Sequence, residues 1–125
     1  MKKVICTKKA PLAIGPYSQA TVHNGLIYVS GQLPIEPDSG ELCTGDIAEQ
    51  TNVVMNNLKA ILDAAGSSME KILKCTILLT DMAFFAKMNE AYGSFFESEP
   101  PARICYQVCA LPKGAIIEID CIAIE

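Results

Sequence analysis

Arg103 and Glu118 are the two side chains of this sequence best equipped to do chemistry together. Each lies in a run that reads as a strand, Arg103 to Cys109 and Ala115 to Ile124, and the two runs are consecutive. Consecutive strands can pair as neighbours, and strict alternation of side chains puts Arg103 and Glu118 on one face. An arginine presents a planar fork of N–H groups, and a glutamate can take up or release a proton. Such a pair can act on a small anion. It can equally form a cross-strand salt bridge or stand as two solvated side chains, because opposite charges are common partners on sheets. Tyr17, Ser30 and Cys105, each taken alone, read as ordinary structural residues.

Holding that pair requires a sheet, and the rest of the sequence supplies one. Residues 2–6 read as a short edge strand, and Ala10 to Gln19, with Pro11, Gly15 and Pro16, as a loop. Gln19 to Val22 and Leu26 to Gln32 flank His23-Asn24-Gly25, where Asn-Gly signals a hairpin. Pro37-Asp38-Ser39-Gly40 is a further turn. Asp46 with Glu49 resembles a capping pair, after which Ile47, Val54, Leu58, Ile61, Leu62 and Ala65 recur at helical spacing until Gly66. Ile72 to Thr80 is rich in strand formers. Asp81 opens a second helix with an inner stripe of Phe84, Phe85, Met88, Tyr92, Phe95 and Phe96, read as core, and Pro100-Pro101 ends it. The order β, β, β, α, β, α, β, β, without linker or repeat, predicts one α+β domain over residues 1–125.

Composition narrows the function classes. The chain is 50% apolar and 19% charged, which suits a globular protein and not a disordered one. No apolar run approaches the roughly 20 residues of a membrane span, and Met1-Lys2-Lys3 leads into too short an apolar stretch for a signal peptide. A cytoplasmic protein is expected. A net charge of −4, with no basic cluster beyond Lys8-Lys9, weighs against nucleic acid as the main partner. There are six cysteines but no C-x-x-C pair, and His23 is the single histidine, so neither a metal nor a cofactor is expected. Cys105 and Cys109 fall four apart on the expected strand, about 13 Å, beyond the reach of a disulfide. Reduced cysteines serving as small hydrophobes fit best.

Sorting every strand by alternation gives two unlike faces. One carries Ile27, Val29, Leu33, Leu73, Cys75, Ile77, Leu79, Ile104, Tyr106, Val108, Ile117, Ile119, Cys121 and Ala123, and the two helices can cover it. The other mixes Tyr28, Ser30, Gln32, Ile72, Leu78, Arg103, Cys105, Ile116, Glu118, Ile122 and Ile124. A half-apolar face with no helix left to cover it predicts burial against further copies of the same chain.

Pro101-Ala102-Arg103, Leu111-Pro112-Lys113 and Ile117-Glu118-Ile119 resemble the C-terminal signature of the Rid (YjgF) family of reactive-intermediate deaminases. So do Ala13-Ile14-Gly15-Pro16-Tyr17-Ser18-Gln19, Val29-Ser30-Gly31-Gln32-Leu33-Pro34 and Met88-Asn89-Glu90-Ala91-Tyr92 upstream, so the resemblance runs through essentially the whole chain. It implies a chorismate-mutase-like α+β fold, a mixed sheet with two helices on one face, assembled as a homotrimer with clefts between subunits. It also implies RidA-type activity, the 2-iminobutanoate/2-iminopropanoate deaminase reaction, which turns 2-imino or 2-enamino acids such as 2-aminoacrylate into 2-oxo acids and ammonia.

Carried to this chain, Arg103 holds the substrate carboxylate, Glu118 manages the attacking water, and the Cys105 backbone contacts the imine or the water. Tyr17, Ser30, Gly31, Asn89 and Ile104 fall among the substrate-binding positions. Ile104 and Cys109 stand where relatives more often carry smaller residues. By alternation Ile104 points at the helices and adjusts packing, while Cys109 shares the face of Arg103 and narrows the pocket. Relatives are also described as endoribonucleases and translation inhibitors, and a non-enzymatic role, as a 2-oxo acid binder or a chaperone-like protein, is the further alternative. The acidic charge weighs against the first, and a pure carboxylate binder has little use for Glu118.

Overall fold

The computed structural model describes residues 1–125. Strands β1 (Lys3–Ile5), β2 (Ala20–His23), β3 (Leu26–Gln32), β4 (Ile72–Leu79), β5 (Ala102–Gln107) and β6 (Ile117–Ile124) form one sheet in the order β1-β2-β3-β6-β4-β5. All neighbours are antiparallel except β4 and β5. The β2–β3 hairpin turns on Asn24 (φ 51°) and Gly25 (φ 80°), the left-handed pair that matches the twist of two strands joined by two residues.

Helix α1 (Ile47–Ala64) starts where the Asp46 carboxylate accepts the Glu49 N–H at 2.9 Å, and the chain leaves it through Gly66 (φ 77°). Its inner face of Val54, Met55, Leu58, Ile61 and Leu62 is wholly buried. Asp81 caps a 3₁₀ turn, Met82–Phe84, which runs into α2 (Phe85–Gly93). That helix is shorter than the aromatic stripe, so Phe95 and Phe96 lie past its end, half-buried against a core of 24 residues between sheet and helices. The mixed α+β sheet with two helices is as expected.

Three irregularities change which side chains face the helices. A bulge between Ile72 and Lys74 buries Ile72 and leaves Leu73 48% exposed, the reverse of strict alternation. A second bulge, between Val29 and Gln32, buries Gln32, whose Nε2 donates to the Ser30 carbonyl at 3.1 Å, and leaves Leu33 only half-buried.

The third concerns β5, which does not pair with β6. It lies at the sheet edge, parallel to β4, with Arg103 beside Cys75 and Cys105 beside Ile77. Cys75 and Ile77 are buried beneath the helices, so Arg103 and Cys105 face the helices too. Ile104 (47% exposed) and Tyr106 (48%) point the other way. Apolar alternation misleads here because the large apolar residues of this edge strand, Ile104 and Tyr106, are the ones on its exposed side. The strand ends at Gln107, so Cys109 lies beyond it, exposed, and has no strand face to share with Arg103.

Candidate active site

Strand β6 sets Ile117 and Ile119 into the core and turns Glu118 to the face without helices. There its carboxylate lies over Gly31, inside the β3 bulge. A Cβ at position 31 would fall on Glu118 Oε2 and 2.9 Å from its Cδ, so only glycine leaves this carboxylate its place. Tyr17 and Ser30 line the same cleft, about 740 Å³ in volume, together with Pro112 and Lys113.

The loop carrying Tyr17 is stapled by the buried Gln19. Its Oε1 accepts from Thr7 N at 2.7 Å, and its Nε2 donates to the Pro11 carbonyl at 2.7 Å. Ser30 adds Oγ donation to the Ser18 carbonyl at 2.6 Å. Desolvation first, and the charge of Asp120 second, raise the Glu118 carboxyl above the ordinary carboxylate range.

Arg103 lies across the sheet. Its Nη1 donates to Asn89 Oδ1 at 2.7 Å, and its Cζ sits 5.5 Å from the ring centre of Phe85 and 5.3 Å from that of Tyr92. The one ion pair in the chain is Lys59–Asp63, so Arg103 has no carboxylate partner. A guanidinium that is fixed but not neutralised is ready for an incoming anion. Burial raises the Cys105 thiol, with Arg103 partly opposing, and pushes Cys75 up to about 11. Both are thiols near neutral pH, which disfavours them as nucleophiles.

The expected residues therefore fall into two groups. Tyr17, Ser30, Gly31 and Glu118 share one cleft; Arg103, Asn89 and Cys105 share the helix side of the β5 edge. Ile104 belongs to the face of Glu118, not to that of the helices. Arg103 and Glu118 are neither on one face nor on neighbouring strands, because β4 lies between them.

Phe85 and Tyr92, expected to be core alone, also meet Arg103. The signal that could have found them is spacing, since Phe85, Asn89 and Tyr92 fall at i, i+4 and i+7 on one helix face. No three His, Cys, Asp or Glu side chains gather as a metal site, and no helix is long and apolar enough to cross a membrane.

Residues 7–125 match the family described as endoribonuclease L-PSP. The chain is 50% identical over 123 residues to a RutC family protein of Pyrococcus horikoshii, covering 98% of each. It is 47% identical over 125 residues to the 2-iminobutanoate/2-iminopropanoate deaminase of Homo sapiens, covering 100% of this chain and 91% of that one. Among solved structures, a member of the conserved Rid protein family from Yersinia pestis matches at TM-score 0.98 and 48% identity over the full length of both. E. coli TdcF with bound serine matches at TM-score 0.94 and 41% identity, covering 98% of each. Likeness of this extent, in sequence and in fold, shows that the chain belongs to the Rid family, the one also described as endoribonuclease L-PSP.

Proposed function

We propose that the protein hydrolyses reactive 2-imino and 2-enamino acids, such as 2-aminoacrylate, to 2-oxo acids and ammonia, as a homotrimer with its active sites between subunits. The observation that carries this reading is the divided site. An unneutralised guanidinium stands on one side of the sheet and a carboxylate of raised pKa on the other. One small substrate cannot touch both within a single chain. Laying the Glu118 cleft of one subunit against the β5 edge of the next brings the halves together and covers the exposed Tyr28, Leu73, Ile104 and Tyr106. Relatives at 46–48% identity that bear the deaminase name support the substrate class.

The chemistry asks little of the protein. An imine is far more electrophilic than an amide, so an anchor, a positioned water and a proton route suffice. Arg103 grips the carboxylate through its fork, oriented by Asn89. The imine reacts in its protonated form: Glu118 accepts one proton of the water as its oxygen bonds to C2, and the C=N electron pair goes to nitrogen to give the neutral carbinolamine. Glu118 returns that proton to nitrogen, the C2–N bond breaks as the hydroxyl oxygen forms the C=O of the 2-oxo acid, and the hydroxyl proton leaves with ammonia as ammonium. An enamine enters this sequence as its imine tautomer. Endoribonuclease activity draws no support from a chain of net charge −4 with one histidine.

The test is ammonia release from 2-aminoacrylate generated in situ. Release should be markedly faster with the protein present, and equal rates would end this reading. Gly31→Ala should lower kcat about 10²-fold, because a methyl at 31 displaces the Glu118 carboxylate. Its thermal melt should stay within a few degrees of the parent's, since the displaced group is a half-exposed side chain. Full activity in Gly31→Ala would show that the placement of Glu118 does not matter.

A further inference from the structure

One face of α2 offers Arg103 an aromatic ring, an amide and a second ring. We propose that Phe85 and Tyr92 are positioning residues: their rings clamp the Arg103 guanidinium by cation–π attraction and leave its N–H edge free for the substrate carboxylate. The inference rests on the reading of Arg103 as the carboxylate anchor.

Three observations carry it. First, the guanidinium has five N–H bonds, and within the chain its one hydrogen-bond partner is Asn89. A carboxylate in place of the rings would order the side chain as well, but it would occupy the N–H groups that the substrate needs. An aromatic face attracts the cation without accepting an N–H. Secondly, arginine is among the side chains with most rotamer freedom to lose. Ordering it during folding removes that cost from substrate binding. Thirdly, the two rings are held differently. Tyr92 is sunk in the core, its hydroxyl against the Cys75 thiol and without a well-formed hydrogen bond, whereas Phe85 is half-buried in the first turn of α2. Tyr92 is thus the fixed wall of the clamp, and Phe85 is the one that can be changed without opening the core.

The experiment uses Phe85→Leu, which keeps apolar bulk but loses the ring, and Phe85→Tyr, which keeps the ring. Calorimetric titration with 2-oxobutanoate should show Phe85→Leu binding about threefold to fivefold more weakly, and Phe85→Tyr binding like the parent. In the deaminase assay the Leu variant should raise KM by the same factor and leave kcat unchanged, a split that a loss of folded protein would not produce. A leucine variant that binds as well as the parent, or a tyrosine variant as weak as the leucine one, would overturn the clamp.

A second measurement needs no ligand. In a double-mutant cycle of urea unfolding, Phe85→Leu should cost less stability when residue 103 is Gln than when it is Arg. Additive losses in that cycle overturn the clamp. If the cycle shows coupling while the parent neither binds 2-oxobutanoate nor releases ammonia, the clamp stands and the deaminase reading fails.

Discussion

Co-refolding equal amounts of Arg103→Met and Glu118→Gln subunits should restore about one quarter of the activity of the unmodified protein, although each variant alone is nearly inactive. The expectation follows from the sheet. Arg103 faces the helices and Glu118 faces away from them, so the proposed site takes the Arg103 side of one chain and the Glu118 side of another. With random mixing, about one interface in four draws both sides intact. The recovered activity should peak at equal proportions and vanish towards either pure variant. A site built within one chain predicts no recovery at any ratio, so this measurement also decides whether the subunit contact is part of the chemistry. Size-exclusion chromatography with light scattering, run on the same samples, checks that the mixtures assemble as threes.

Glu118→Gln should lower kcat by about 10²–10⁴-fold, the usual loss when general acid–base help is removed. Its affinity for a 2-oxo acid should be unchanged or better, because a like charge near the ligand is gone. The pH profile gives a second signature. In the proposed mechanism Glu118 works as a base only when ionised, and burial with the nearby Asp120 raises its pKa. In the parent, kcat/KM should therefore climb with pH through a region above the ordinary carboxylate range. Asp120→Asn should move that limb to lower pH, and Glu118→Gln should flatten it.

Stability has a definite sign as well. A carboxyl whose folded pKa is raised stabilises the fold below its unfolded pKa and loses that contribution as pH rises through the folded one. Near neutrality Glu118→Gln should then be as stable as the parent or slightly more so. Normal turnover by this variant in an intact assembly would reduce Glu118 to a structural residue.

The parts of the fold that were legible in the sequence are those decided locally. Asn24-Gly25 marks its hairpin because a two-residue turn of the right twist needs two left-handed residues, and both are present. Helix α1 announces its start by Asp46 and its end by Gly66. What could not be read is decided by neighbours. Nothing within Ile72 to Thr80 marks the extra residue that flips Leu73 outwards, because a bulge depends on the register of β6. Nothing within Arg103 to Cys109 says that its partner is β4 and not β6. Cys75 and Cys121, which face each other across β4 and β6, are far apart in sequence and invisible to any spacing rule. Alternation picked out Arg103 and Glu118 but misassigned the face of Arg103, and the remaining candidate residues came through resemblance. The same error hid that Arg103 and Glu118 lie on opposite faces of the sheet, the feature on which the proposed inter-subunit site rests.

A sheet that parts the two side chains also fixes how output scales with the amount of protein. On the proposed reading a chain alone carries two half-sites, each without its complement, so a newly released subunit should be silent until it meets others. Specific activity should be constant while the assembly is intact and fall steeply on dilution below its dissociation constant, recovering on reconcentration. Dosage follows the same rule. A cell making one intact and one Arg103-deficient copy at equal levels would spoil about half of its interfaces, not half of its molecules, and every mixed ring would keep some working sites.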